Sequence, residues 1–71
     1  MLQQDFNILI NGQPFQCVRN MTIHDLLSYL LIDMKTNLVE HNNEILDPSQ
    51  FKTVILQEHD KIEIITLVGG G

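Results

Sequence analysis

At 71 residues and a formal net charge of −5, this chain has room for one small core and not for several domains. Its four basic residues, Arg19, Lys35, Lys52 and Lys61, are scattered singly among nine acidic ones, which excludes the clustered cations that nucleic acid requires. A lone cysteine, Cys17, excludes an internal disulfide framework, and no apolar stretch approaches the roughly 20 residues that span a membrane.

Residues 6–11, Phe-Asn-Ile-Leu-Ile-Asn, have strand composition, and Asn11-Gly12 is a tight-turn pair leading into a second strand at residues 15–18. Alternation directs Phe6, Ile8 and Ile10 to one face and Leu9 to the other. Thr22 is a helix N-cap with Asp25 three residues on. Leu26, Leu27, Leu30, Leu31 and Met34 then recur at helical spacing, which predicts a one-sided helix through Met34. Residues 38–41 form a short strand closed by the turn pair Asn42-Asn43, and residues 44–46 a minimal one. Pro48 opens a single helical turn, residues 53–56 are loop or strand, and Glu58-His59-Asp60 is a polar turn. The final strand covers residues 61–68, with Ile62 and Ile64 on one face and Glu63, Ile65 and Leu67 on the other. Gly69, Gly70 and Gly71 follow it directly.

One helix among these strands must lie on one face of a mixed sheet, an α+β arrangement. The economical solution is a β-grasp: a four- to five-stranded sheet whose first and last strands run parallel at the centre, with the helix across them. The most apolar strands then take the central positions. The expected organisation is a single domain over residues 1–68 and a flexible glycine tail at 69–71.

No catalytic residue is expected within this domain. Cys17 sits in an apolar setting and reads as a structural, buried thiol. His24, His41 and His59 have no metal-ligand spacing, so no metal is expected. Asp25, Asp33, Glu58 and Asp60 read as solvated turn or surface carboxylates. Attention moves to the tail. Three residues without side chains carry a carboxylate about 10 Å beyond the last strand residue, along a thread narrow enough for a channel that any Cβ would block. Gly71 is then the reactive position, Gly69 and Gly70 the thread, and the exposed Leu9, Ile65, Leu67 and Val68 a docking patch beside it. A carboxylate is a poor electrophile until activated; adenylation by ATP on a partner enzyme prepares it for a sulfur donor or for an amine.

The chain resembles the ThiS sulfur carrier family of thiamin biosynthesis over nearly its full length after Asp5. The markers are Asn11-Gly12, Thr22-Ile23-His24-Asp25-Leu26-Leu27, Val39-Glu40-His41-Asn42 with Ile45 and Pro48, and the closing run Asp60-Lys61-Ile62-Glu63-Ile64-Ile65-Thr66-Leu67-Val68-Gly69-Gly70-Gly71. The resemblance implies a carrier rather than an enzyme. A ThiF-like enzyme would adenylate Gly71 with ATP and Mg²⁺, a persulfide from a cysteine desulfurase would convert it to a thiocarboxylate, and thiazole synthase (ThiG) would take the sulfur. Ser49 departs from the arginine that related sequences often carry after the proline. The neighbouring alternatives are a MoaD-like subunit of molybdopterin synthase, whose tail is usually approached through a proline-containing segment, and a ubiquitin-like protein modifier. No nucleic acid or membrane is implied. The N-terminal residues lack signal-peptide regions, so the expected location is the cytoplasm, or the plastid stroma for an organelle-encoded chain.

Overall fold

A computed structural model describes residues 5–67. Val68, Gly69, Gly70 and Gly71, named above for the patch and the tail, lie outside the described residues. Strands β1 (Phe6–Ile10) and β2 (Gln13–Cys17) form an antiparallel hairpin. Asn11 and Gly12 close it at positive φ, 49° and 81°, the backbone that a two-residue hairpin turn needs to match strand twist. Helix α1 (Ile23–Tyr29), β3 (Asn37–His41), β4 (Glu44–Ile45), a 3-10 turn at Pro48–Gln50 and β5 (Lys61–Thr66) follow. The sheet order is β2-β1-β5-β3-β4, with β5 parallel to β1 and antiparallel to β3. The first and last strands are therefore central neighbours in a mixed sheet of five strands, the β-grasp topology.

The helix begins where Thr22 and Asp25 exchange hydrogen bonds. Thr22 Oγ1 accepts from the Asp25 N–H and Asp25 Oδ2 accepts from the Thr22 N–H, each at 3.0 Å. Its first two amides are satisfied from the long loop before β5. The Ile23 N–H donates to the Val54 carbonyl (3.0 Å) and the His24 N–H to that of Phe51 (2.9 Å). That loop forms no strand at residues 53–56, where its β pairing is a single bridge, Thr22 to Ile55. It does deliver Leu46, Phe51 and Leu56 to the core. There they join Ile23, Leu26 and Leu27 of the helix and Ile8, Cys17, Val39 and Ile62 of the sheet.

Most strand ends shift by one or two residues from the sequence reading, β5 closing at Thr66 and leaving Leu67 outside the strand, and the helix end shifts by five. Strand β2 begins at Gln13 and contains Pro14, which is tolerated because β2 is an edge strand. The helix ends at Tyr29 rather than Met34. Leu31 turns left-handed (φ 59°), and the Ile32 N–H reaches back to the Leu27 carbonyl at 2.9 Å while the Leu31 N–H bonds that of Ser28 at 3.2 Å. This is a Schellman closure with leucine where glycine is usual. The apolar spacing continued past it because Ile32 and Met34 still pack on the core from non-helical backbone. Among the described residues, no helix is long and apolar enough to cross a membrane.

Leu31 is nine-tenths exposed, so its side chain contributes little burial to offset a left-handed backbone. Replacing it with glycine removes that strain and adds some unfolded-state entropy. The net expectation is a gain of about 0.5–1 kcal/mol in urea denaturation of the Leu31→Gly variant.

Candidate functional site

The helix covers one side of the sheet only. On that side Ile8, Val39 and Ile62 are at most 1 % exposed; on the other, Leu9, Ile65 and Leu67 are exposed by 41–46 %. The structure therefore places Leu9, Ile65 and Leu67 on the solvent side of the sheet, outside the core. Two further residues belong with them. Leu38 lies opposite Ile65 across the β3–β5 pair, and Ile45 lies opposite Glu40 across β3–β4. Both are exposed, and the sequence reading omitted them because their face depends on pairing register, which local alternation does not supply.

The exit of β5 is held from both sides. Asn11 takes the place of a strand residue beyond the end of β1: its Oδ1 accepts from the Ile64 N–H at 2.7 Å, and its backbone N–H donates to the Ile62 carbonyl at 2.9 Å. On the β3 side the Leu67 N–H donates to the Thr36 carbonyl at 2.7 Å, and Thr66 Oγ1 to Asn37 Oδ1 at 2.8 Å. The chain is thus fixed to the sheet through Leu67, so whatever follows leaves from one defined point.

At the other end of β5 the structure corrects the reading of Asp60. It is a buried carboxylate, only 6 % exposed, and its oxygens accept from the Gln57 N–H (2.8 Å) and Asn42 Nδ2 (3.1 Å) and lie 2.9 Å from His41 Nε2. Asn42, at the β3–β4 turn, also accepts from the Lys61 N–H through Oδ1 at 2.8 Å. The cluster ties the turn before β5 to the β3–β4 hairpin. Burial pushes the Asp60 carboxyl up, but the hydrogen bonds from Gln57, His41 and Asn42 outweigh it and hold its pKa below the ordinary value. The Asn42-Asn43 turn signal was legible; its bond to a carboxylate 18 residues away was not.

Cys17 is fully buried, and desolvation, with the Asp60 charge as a smaller cause, pushes its thiol up. Asp25 and Asp47 serve as caps, their carboxyls lowered by hydrogen bonds to Thr22 and Ser49. Among the described residues, no three His, Cys, Asp or Glu side chains converge as a metal site would require. The features with functional potential are the open apolar face and the fixed exit of β5.

Comparison with known proteins gives a consistent picture. The family model of the ThiS family matches residues 8–71. The chain is 38 % identical to the ycf40 protein of Pyropia yezoensis over 71 residues, all of both chains. It is 42 % identical to the sulfur carrier protein ThiS of Bacillus subtilis over 63 residues, covering 87 % of this chain and 96 % of that one. It is 36 % identical over 64 residues to a thiazole synthase of Paramagnetospirillum magneticum, covering 90 % of this chain but 20 % of that longer protein. A crystal structure of the thiamine biosynthesis protein ThiS from Geobacter metallireducens superposes with a TM-score of 0.82 at 28 % identity, over 93 % of this chain and all of that one.

The Asp60 cluster yields a pH dependence. Because the folded-state pKa lies below the unfolded one, its stabilisation is complete above the unfolded value of about 3.9 and is lost as pH falls through and below it. Urea titrations from pH 7 downward should show a shallower acid limb for Asp60→Asn than for the parent. Asp60→Ala, which leaves the buried donors unpaired, should lose about 2–3 kcal/mol at pH 7.

Proposed function

The chain belongs to the ThiS family, and on that premise we propose that it is a sulfur carrier of thiamine biosynthesis whose working group is the Gly71 carboxylate. The observation that carries this reading is that the family match runs to residue 71 and so includes Gly69, Gly70 and Gly71. The structure supports it with a fixed point of departure at Leu67, from which four extended residues reach at most about 14 Å.

In this reading the protein is a co-substrate, not an enzyme. A carboxylate oxygen of Gly71 attacks the α-phosphorus of ATP on a ThiF-like partner, and pyrophosphate leaves; the partner supplies Mg²⁺ and the charge stabilisation. The terminal sulfur of a persulfide, derived from a cysteine desulfurase, then displaces AMP. Thiol cleavage of the resulting S–S bond leaves the thiocarboxylate. Thiazole synthase is the proposed acceptor, a role supported by the carrier-like segment within the Paramagnetospirillum thiazole synthase. Gly69 and Gly70 give the carboxylate access to a narrow channel, and Leu9, Ile65, Leu67 and Val68 form the surface by which the partner holds the domain.

Intact-mass measurement of the protein purified from its own cells under thiamin starvation should reveal a fraction in which one oxygen at Gly71 is exchanged for sulfur. Complete absence of that species would refute the carrier role, and a covalent adduct on other proteins' lysines would point to a modifier. Gly70→Trp should abolish ATP–pyrophosphate exchange with the adenylating enzyme while leaving thermal unfolding unchanged. An undiminished exchange rate would contradict the channel argument.

A further inference from the structure

The open face of the sheet carries charge as well as apolar surface. Glu63 of β5 lies directly opposite Glu40 of β3, both on the side away from the helix, and neither is fully exposed. Like charges placed opposite one another on adjacent strands oppose sheet formation. Nothing in the described residues offsets this pair: no Lys or Arg nitrogen comes within 4.0 Å of any carboxylate, the only such contacts being from histidines. Lys61 is the nearest cation along β5 on this face, and its Nζ turns instead to Asn43 Oδ1 at 3.3 Å. Apolar side chains border the pair towards the exit of β5 and towards β4, while Asn11 and Lys61 flank it on the β1 side and towards the entry of β5. Ile65 and Leu38 form the next cross-strand row and Ile45 lies beside Glu40 on β4, while Leu9 on β1 is one row back, level with Lys61. A free-standing sheet surface gains nothing from two unneutralised carboxylates set among leucine and isoleucine.

We propose that Glu40 and Glu63 together form a receptor for one arginine side chain, which the adenylating partner presents from within an apolar surface of its own. The proposal rests on the carrier reading and assigns the partner's recognition chemistry. A guanidinium fits better than an ammonium on three counts. Its planar fork spans two carboxylates at once, it is more weakly hydrated and so suits an apolar surround, and its charge is permanent. The chain's net charge of −5 draws such a surface in, and the glutamate pair fixes its register once Leu38, Ile45 and Ile65 have excluded water. Docked in this way, the partner lies over the end of β5, beside the exit at Leu67.

The test is association of the full-length protein with the adenylating enzyme of the same organism, measured over a range of sodium chloride concentrations, with ATP–pyrophosphate exchange followed in parallel. Glu40→Gln combined with Glu63→Gln should weaken association about tenfold or more and flatten its salt dependence, while its thermal midpoint stays at or above that of the parent. Glu40→Gln alone, which leaves β5 untouched, should act in the same direction to a smaller extent. Asp5→Asn with Glu58→Gln removes the same charge from a cavity the two residues share with Arg19 and Leu56, outside the β3–β5 pair, and should bind as the parent does. Parent-like binding by the Glu40/Glu63 variant, or an equal loss in both charge variants, overturns the proposal. A parent chain that shows no association also overturns it; pyrophosphate exchange in the same mixtures then decides independently whether Gly71 is adenylated.

Discussion

A single short helix sets the terms for everything else in this molecule. Seven residues span about 10 Å, enough to cover the middle of one face of a five-stranded sheet and nothing more. Ile23, Leu26 and Leu27 meet Ile8, Val39 and Ile62, and the loop before β5 extends this layer with Leu46, Phe51 and Leu56. The chain has no second layer to place on the other face among its described elements. That face is left open by geometry, and its leucine, isoleucine and paired glutamate suit the docking role proposed for it. Packing occupies one side of the sheet, and the proposed recognition surface the other.

The lateral edges of the sheet are managed differently from its open face. β2 carries a proline at one edge, and β4 at the other has only two residues, so neither offers a long row of free backbone groups to a second strand. Inside the sheet, β5 is pinned at both ends by side chains rather than by ladder bonds alone. Asp60 gathers Gln57, Asn42 and His41 at its entry, and Asn11 extends the β1 side beyond the end of that strand. A central strand fixed in this way holds its register, and with it the choice of which residues face outward.

Much of this was legible in the sequence because it depends on local rules. Alternation in β1 and β5, the two hairpin turn pairs and the Thr22 cap required only neighbours in the chain, and they led to the β-grasp topology. The helix end was not legible, since Leu31 occupies a left-handed position that glycine normally marks. Asp60 was misread as solvated because its partners lie in a turn 18 residues earlier, and a carboxylate between a histidine and a lysine looks like surface. Leu38, Ile45 and the Glu40–Glu63 opposition were invisible for a related reason. Each depends on which residues of separate strands face one another, and pairing alone decides that.

Cys17 has a consequence for the persulfide chemistry proposed for this carrier. Thiol–disulfide exchange proceeds through the thiolate, and here burial keeps the only thiol of the chain both inaccessible and protonated. The protein is consequently inert toward the sulfur it is proposed to transport. It neither traps a persulfide on its own side chain nor dimerises through a mixed disulfide, which leaves the Gly71 carboxylate as the one proposed position for sulfur.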